Sequence, residues 1–104
     1  MPFLLEFFMA TKERIYIMQC NDYIKIGVSE NPWVRIKSLQ TGNPYKIDLL
    51  LSFKTKNAYS EEKRFHNYFD SKKSIGEWFK IDDDIKHFVK NLKIIEYKEK
   101  GGEY

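Results

Sequence analysis

Two residues that could take part in chemistry lie on the first two β-type runs of the chain. Tyr16 is in the run 14–18, and Lys25 is in the run 22–27. Polar residues 19–22 separate them, so the two runs are predicted to form an antiparallel hairpin. Facing strands bring cross-strand side chains together, and a phenol and an amine can then share one patch of sheet. The same residues also fit an ordinary strand tyrosine and a solvated edge lysine.

Glu62 is a candidate because its helix would place a carboxylate beside the core. The helix predicted at 57–71 has an apolar line formed by Ala58, Phe65 and Phe69. With ~100° per residue, Glu62 lies about 40° from that line. A carboxylate in this position must be paired, hydrogen-bonded or bound to a metal, because an isolated buried charge is costly or shifts its pKa.

Arg35 and His66 are the two remaining candidates. Arg35 lies beside the apolar stripe of a predicted helix, so it can face the same patch as Tyr16, or it can be a surface arginine whose stem covers apolar groups. His66 follows Glu62 by one helical turn. It is either a catalytic helper or a structural or DNA-contacting histidine. No cysteine or second nearby histidine completes a zinc site with this pair.

Length and composition limit the class of protein. The chain has 104 residues, of which 42% are hydrophobic, which suffices for one domain with a modest core. One cysteine excludes an intrachain disulfide and favours a cytoplasmic protein, or a nuclear one in a eukaryotic host. A net charge of +3 permits a DNA partner without requiring it. The apolar start at 2–10 is far shorter than the roughly 20 residues of a spanning helix, so no membrane association is expected.

The segment after the hairpin is predicted to be a helix over 32–40. Ser29 or Asn31 can cap it, and Pro32 suits its first turn because no intrahelical N–H partner is lost there. Its apolar stripe is expected to consist of Trp33, Ile36 and Leu39.

Further elements complete a predicted order of β-β-α-β-α-β-α. The run 47–55 is dense in large apolar residues and is expected to be the central buried strand. A short strand at 75–81 and a helix at 82–92, capped by Asp82, follow. The fold class is therefore α+β, with a small mixed, mainly antiparallel sheet flanked by helices. The expected organisation is an N-terminal extension at 1–13, a single domain at 14–93 and a mobile tail at 94–104.

Basic side chains are concentrated in the middle of the chain, where they can neutralise phosphates. The residues expected to contact nucleic acid are Lys37, Lys63, Arg64, Lys72 and Lys73.

Five short motifs cover about residues 14–81 of the chain. They are IYI at 15–17, YIKIGVS at 23–29, NPWVRIKSLQTGNP at 31–44, EKRFHNYF at 62–69 and GEWF at 76–79. In this order and spacing they resemble the GIY-YIG nuclease superfamily, in its compact viral and phage-associated branch shared with the meiotically up-regulated gene group. Arg14 replaces the first glycine of the name-giving motif, and Lys25 replaces the tyrosine of the second.

The resemblance implies a metal-dependent DNA endonuclease. Tyr16 would be the general base or would position the attacking water, Arg35 would stabilise the developing charge, and Glu62 would hold one Mg²⁺ or Mn²⁺ ion. A phenol has an unperturbed pKa of about 10, so Tyr16 would need a neighbouring cation, Lys25 or His66, to act as a base. Lys25 can alternatively contact the scissile phosphate.

Two other function classes stay open from the sequence. One is a catalytically idle nucleic-acid-binding module, and the other is a viral or phage protein-binding factor, such as an inhibitor of a host defence system, on the same scaffold. Tyr16, Arg35 and Glu62 together favour the nuclease, because a binding module needs none of the three in this relation. The short chain offers no separate DNA-binding domain, so specificity is expected from the domain itself, from a homo-oligomer or from a protein partner.

Overall fold

A sheet of four antiparallel strands lies at the centre of the fold. The computed structural model describes residues 13–72, 76–99 and 101. The strands are β1 (Arg14–Cys20), β2 (Tyr23–Ser29), β3 (Ile47–Lys54) and β4 (Trp78–Lys80), in the sheet order β3-β1-β2-β4. The helices are α1 (Pro32–Gln40), α2 (Ala58–Tyr68) and α3 (Asp83–Glu99), with a short 3-10 helix at Asp70–Lys72. The predicted fold class and element order are confirmed.

The hairpin of β1 and β2 is tighter than predicted. Cys20 pairs with Tyr23, so only Asn21 and Asp22 form the turn. Asn21 has a φ of 53°, a left-handed conformation that asparagine tolerates better than most residues. The short turn fixes the register in which Tyr16 faces Gly27 across the two strands.

The prediction that the run 47–55 forms the central strand was wrong. β3 lies at the edge of the sheet, beside β1, and the central strands are β1 and β2. An apolar strand tolerates this position because α3 covers its outer edge. The Glu96 carboxylate accepts a hydrogen bond from the backbone N–H of Ser52 at 2.7 Å.

The two faces of the sheet carry cores of different size. On the large-core face, covered by α2 and α3, isoleucines of β1 and β2 pack with side chains that include Phe69, Phe79, Ile85 and Leu92. On the other, which we call the α1 face, the buried set is Tyr16, Met18, Ile36 and Ile47. Among the described residues, helical members of this second cluster come from the nine-residue helix α1.

Helix α1 begins as predicted, and two residues of its expected stripe, Ile36 and Leu39, pack on the α1 face, whereas Trp33 does not. Asn31 is the cap, and its side chain accepts from the backbone N–H of Val34 at 3.3 Å. Pro32 and Ile36 are buried, whereas Trp33 is 64% exposed. Because residues 32 and 36 share one helical face, residue 33 is turned by about 100° toward solvent. The expected burial of Trp33 was therefore wrong.

The end of the chain is more ordered than expected. Asp82 caps α3 by accepting from the N–H of Ile85 at 2.9 Å, as predicted. The helix continues to Glu99, so residues 94–99, which were expected in a mobile tail, are helical. The last turns of the helix contact the sheet, because Glu96 accepts from the N–H of Ser52 and Glu99 forms an ion pair with Arg14 at 3.1 Å.

The predicted last strand is shorter than 75–81, since β4 contains only Trp78–Lys80. Residues 73–75 and the extension at 1–12 lie outside the described residues. Within the part of the chain that the structure describes, no helix has the length and apolar character needed to cross a membrane.

Candidate active site

Tyr16 is held on the α1 face by direct contact with the backbone of Gly27. The side chain is 2% exposed, and Gly27 is its cross-strand partner. A Cβ atom built on Gly27 would lie 2.2 Å from both Cζ and Oη of Tyr16. The ring therefore occupies the space that any other residue at position 27 would fill with its side chain.

Burial controls the ionisation of the Tyr16 phenol. It raises the pKa of Tyr16 above its usual value, while the contact with the Arg35 guanidinium works in the opposite direction without outweighing it. The charges of Glu62 and Glu77 raise this pKa further. The cation beside the phenol is thus Arg35, rather than Lys25 or His66, and Tyr16 is neutral at physiological pH.

Lys25 is buried on the same face, where its ammonium has one close carboxylate partner. Its side chain is 9% exposed, and Nζ lies 2.6 Å from Oε2 of Glu77. Lys25 pairs with Met18 in the hairpin and with Trp78 in β4. Its position in the sheet and its ion pair exclude a freely solvated edge lysine.

Glu62, on helix α2, lies within electrostatic range of Tyr16, Lys25 and Glu77. Its carboxyl is half-buried, and burial raises its pKa. The charges of His66 and Lys25 lower that pKa, whereas Glu77 raises it. Glu62 forms no ion pair with any residue in the described ranges, so its negative charge is only partly compensated.

His66 explains how α2 delivers Glu62 to the site. β4 pairs with three residues of β2, which are Tyr23, Ile24 and Lys25. The next residue of β2, Ile26, has no partner in β4, so its carbonyl is left for another donor. His66 Nε2 lies 2.9 Å from this carbonyl oxygen and donates to it. Its ring also packs on Phe79, with centroids 5.2 Å apart. These contacts support the structural interpretation of His66, as the anchor of α2 at the edge of the sheet.

The carboxylates of the cluster fit a magnesium ion better than a zinc ion. In the described segments, no group of three or more His, Cys, Asp or Glu side chains is arranged to hold a metal. Mg²⁺ keeps several water ligands and binds proteins through one or two carboxylates. Glu62, half-buried and without an ion-pair partner among the described residues, has the chemistry of such a ligand.

The predicted nucleic-acid contacts are placed unequally. Lys37, Lys63 and Arg64 are exposed, and Arg64 pairs with Glu61 at 3.3 Å. Lys72 instead lies 2.5 Å from Asp82 at the start of α3, and this hydrogen bond raises the pKa of Lys72. The Lys72 ammonium is therefore already paired with the residue that caps α3. Lys73 lies outside the described residues.

Two residues of the site were missed by sequence reasoning. The GEWF motif contains Glu77 but does not indicate its role. Its partner Lys25 lies 52 positions away, so the pairing leaves no local signal in the sequence. Gly27 did leave one, since a glycine inside a strand marks a bulge or a close approach of another group.

The site thus combines a buried phenol, a guanidinium, a paired ammonium and a half-buried carboxylate from β1, α1, β2 and α2. Comparison with curated proteins and with solved structures gave no match. The model of one family, the T5orf172 domain, matches residues 13–95, which include every described residue of the site. This domain is of an endonuclease-associated type that occurs in phage proteins. The chain belongs to the T5orf172 domain family.

Proposed function

We propose that the chain is a divalent-metal-dependent DNA endonuclease of the GIY-YIG type, which hydrolyses phosphodiester bonds. One arrangement carries the proposal: the Arg35 guanidinium contacts the buried Tyr16 hydroxyl, and the charge of the Glu62 carboxylate acts on the same hydroxyl, although the three residues come from three separate elements. Core packing does not require a phenol, a guanidinium and a carboxylate that act on one another. Phosphodiester hydrolysis can use all three, because it requires an oriented water and positive charge where negative charge develops, and a carboxylate can hold a metal ion that supplies such charge.

Tyr16 acts in this proposal by positioning the attacking water. The raised pKa keeps its hydroxyl protonated, so the phenol can donate or accept a hydrogen bond and has little capacity to remove a proton by itself. Its contact with the Gly27 backbone holds the ring at one place on the sheet. Orientation of this kind contributes to catalysis through a correctly placed reactant.

Arg35 supplies positive charge on the solvent side of the phenol. It is exposed on α1, so its guanidinium can reach a phosphodiester without leaving Tyr16. A guanidinium presents several N–H donors in a plane, which suits the oxygens of a phosphate group. Arg35 would therefore bind the scissile phosphate in the ground state and stabilise its added charge during hydrolysis.

Glu62 is the proposed ligand of one Mg²⁺ or Mn²⁺ ion. Such an ion would supply positive charge at the leaving oxygen of the phosphodiester. Glu62 is suited to this role because the charges nearest to it do not form an ion pair that the metal would have to break. His66 contributes by holding α2 on β2, which fixes the helix that carries Glu62 against the strand that carries Lys25.

DNA is the proposed partner, bound through exposed basic residues of α1 and α2. Lys37 follows Arg35 on α1, and Lys63 and Arg64 follow Glu62 on α2. Each phosphate that they neutralise releases counterions, so binding should weaken steeply as salt is added.

The test is nicking of a supercoiled plasmid with Mg²⁺ by the wild-type chain, by Glu62→Gln and by the control Asp48→Asn. Glu62→Gln keeps the side-chain volume and removes the anionic ligand, so we expect a loss of about 100-fold or more in cleavage rate, with DNA binding retained. Asp48 forms an exposed ion pair with Lys46 at 3.4 Å on β3, and its amide variant should cut normally.

Two outcomes would overturn the proposal. A wild-type chain that binds DNA and does not cut it would indicate the idle nucleic-acid-binding module. A Glu62→Gln variant that cuts at the wild-type rate would remove the metal-ligand role.

A further inference from the structure

The ion pair between Lys25 and Glu77 joins a buried ammonium to an exposed carboxylate. The Lys25 side chain is 9% exposed, whereas that of Glu77 is 68% exposed. A buried ammonium is costly unless it is paired, and the Nζ–Oε2 distance of 2.6 Å shows close pairing. The carboxylate thus holds the ammonium from the solvent side.

The backbone fixes where this carboxylate lies. Glu77 directly precedes β4, whose first residue, Trp78, pairs with Lys25 itself. Gly76, with a φ of +57°, provides the left-handed turn that leads into this position. The Glu77 carboxylate is therefore presented to the Lys25 ammonium by the strand pairing.

Glu77 also belongs electrostatically to the site. Its charge acts on both Tyr16 and Glu62, and Lys25 acts on Glu62 with the opposite sign. An anionic phosphodiester entering beside Tyr16 would meet an ammonium that already has a carboxylate partner.

We propose that Glu77 is a positioning residue, which holds the Lys25 ammonium at the Tyr16 side of the sheet until a phosphate oxygen of the bound nucleic acid takes its place. The inference rests on the proposed function. The exchange involves no covalent step: the ammonium keeps its protons and changes its hydrogen-bond acceptor from the Glu77 carboxylate to the phosphate. In this proposal Glu77 acts on the bound phosphate through Lys25 and touches no reacting atom.

This arrangement makes opposite predictions for binding and turnover. In Glu77→Gln, the phosphate no longer competes with a carboxylate, so an uncleaved duplex should bind about threefold or more tightly. The ammonium is also less firmly placed, so kcat should fall by about tenfold or more. A purely structural role would not move affinity and turnover in opposite directions.

A double-mutant cycle tests whether Glu77 acts through Lys25. Affinity for a short duplex in Ca²⁺ and cleavage of the same duplex in Mg²⁺ are measured for the wild type, Glu77→Gln, Lys25→Gln and the double variant. We expect both effects of Glu77→Gln to disappear, to within about twofold, when Lys25 is already replaced. Asp48→Asn controls for the loss of one negative charge, and thermal melting shows whether each variant is folded.

The outcomes separate this inference from the proposed nuclease activity. Wild-type cleavage together with unchanged affinity and turnover in Glu77→Gln would overturn the inference and leave the nuclease intact. Effects of equal size in the presence and absence of Lys25 would also overturn it. Tighter duplex binding by Glu77→Gln that requires Lys25, in a chain that never cuts, would support the partner exchange and refute the nuclease.

Discussion

Ile17 and Tyr16 are neighbours on β1, and their side chains lie on opposite faces of the sheet. Ile17 is 0% exposed within the large-core face, where eleven buried residues form one cluster. Tyr16 is also buried, yet its cluster has four buried members, and the charges of Arg35, Glu62 and Glu77 act on its hydroxyl. Burial therefore has different consequences on the two faces of β1. On the large-core face it produces dense apolar packing, and on the α1 face it removes water from polar groups.

The buried polar groups follow the same division. Among the described residues, those that are polar or charged and buried are Lys25 and Ser52. Ser52 is the β3 partner of Tyr16 and therefore lies on the α1 face with it. Ser52 accepts a hydrogen bond from Arg14 at 2.6 Å, and Lys25 is paired with Glu77. The large-core face can thus supply stability while the α1 face keeps groups that reduce it.

The largest effect that would sharpen this contrast is expected from Ile17→Ala. Removal of a fully buried aliphatic side chain leaves a cavity and should lower the free energy of unfolding by about 2–5 kcal/mol. Tyr16→Phe, one residue away, keeps the ring and should cost less than about 1 kcal/mol while strongly reducing cleavage. Urea denaturation of both variants gives the comparison. Equal destabilisation by the two changes would mean that the α1 face is structural as well.

Gly27→Ala should damage the α1 face more selectively. The added methyl group must displace the Tyr16 ring, and a shift of about 1 Å can reduce the cleavage rate by about 100-fold. The two substitutions should also not add in their effects on stability. In a Tyr16→Ala background the ring is absent, so Gly27→Ala should cause no further loss of stability. Cleavage assays and thermal melting of the single and double variants measure both effects. A Gly27→Ala enzyme with normal turnover would show that the ring does not need its observed position.

The smallest effect concerns the pH dependence of stability. Burial raises the pKa of Glu62 above its ordinary value of 4.5. The proton is therefore bound more tightly in the folded chain. Its stabilising contribution is present below the unfolded pKa and is lost as pH rises through the folded pKa. Glu62→Gln, which cannot ionise, should melt slightly above the wild type near pH ~7, and the difference should shrink toward pH ~4. Thermal melts at both pH values test this, and a lower melting temperature of the variant near neutrality would indicate a structural acid.

Local signals in the sequence were sufficient for much of the fold. Asn31, Pro32 and Asp82 act within three or four residues of themselves, and the helices begin where these residues predict. The alternating hairpin runs predicted for the same reason that Tyr16 and Lys25 lie on neighbouring strands, because the turn sets the pairing of those strands.

Contacts between distant segments were beyond the reach of such signals. The apolar run of β3 does not reveal that Glu96 will cover its edge, which allows this strand to lie outside the centre of the sheet. The last residue of α3, Glu99, pairs with Arg14, which lies 85 positions earlier in the chain. Glu77 enters the site only because β4 pairs with β2. Each of these three contacts joins residues that are far apart along the chain, so no local pattern in the sequence indicates it.

The contact between Tyr16 and Gly27 also provides a criterion for sorting related sequences. A lineage that abandons the chemistry no longer needs the phenol, and then nothing keeps position 27 free of a side chain. The fold itself would tolerate the exchange, since β2 residues on the other face carry the large core. If the proposed nuclease function holds, we therefore expect the tyrosine and the glycine to be substituted together in T5orf172 relatives that do not cut and to be retained together in relatives that do.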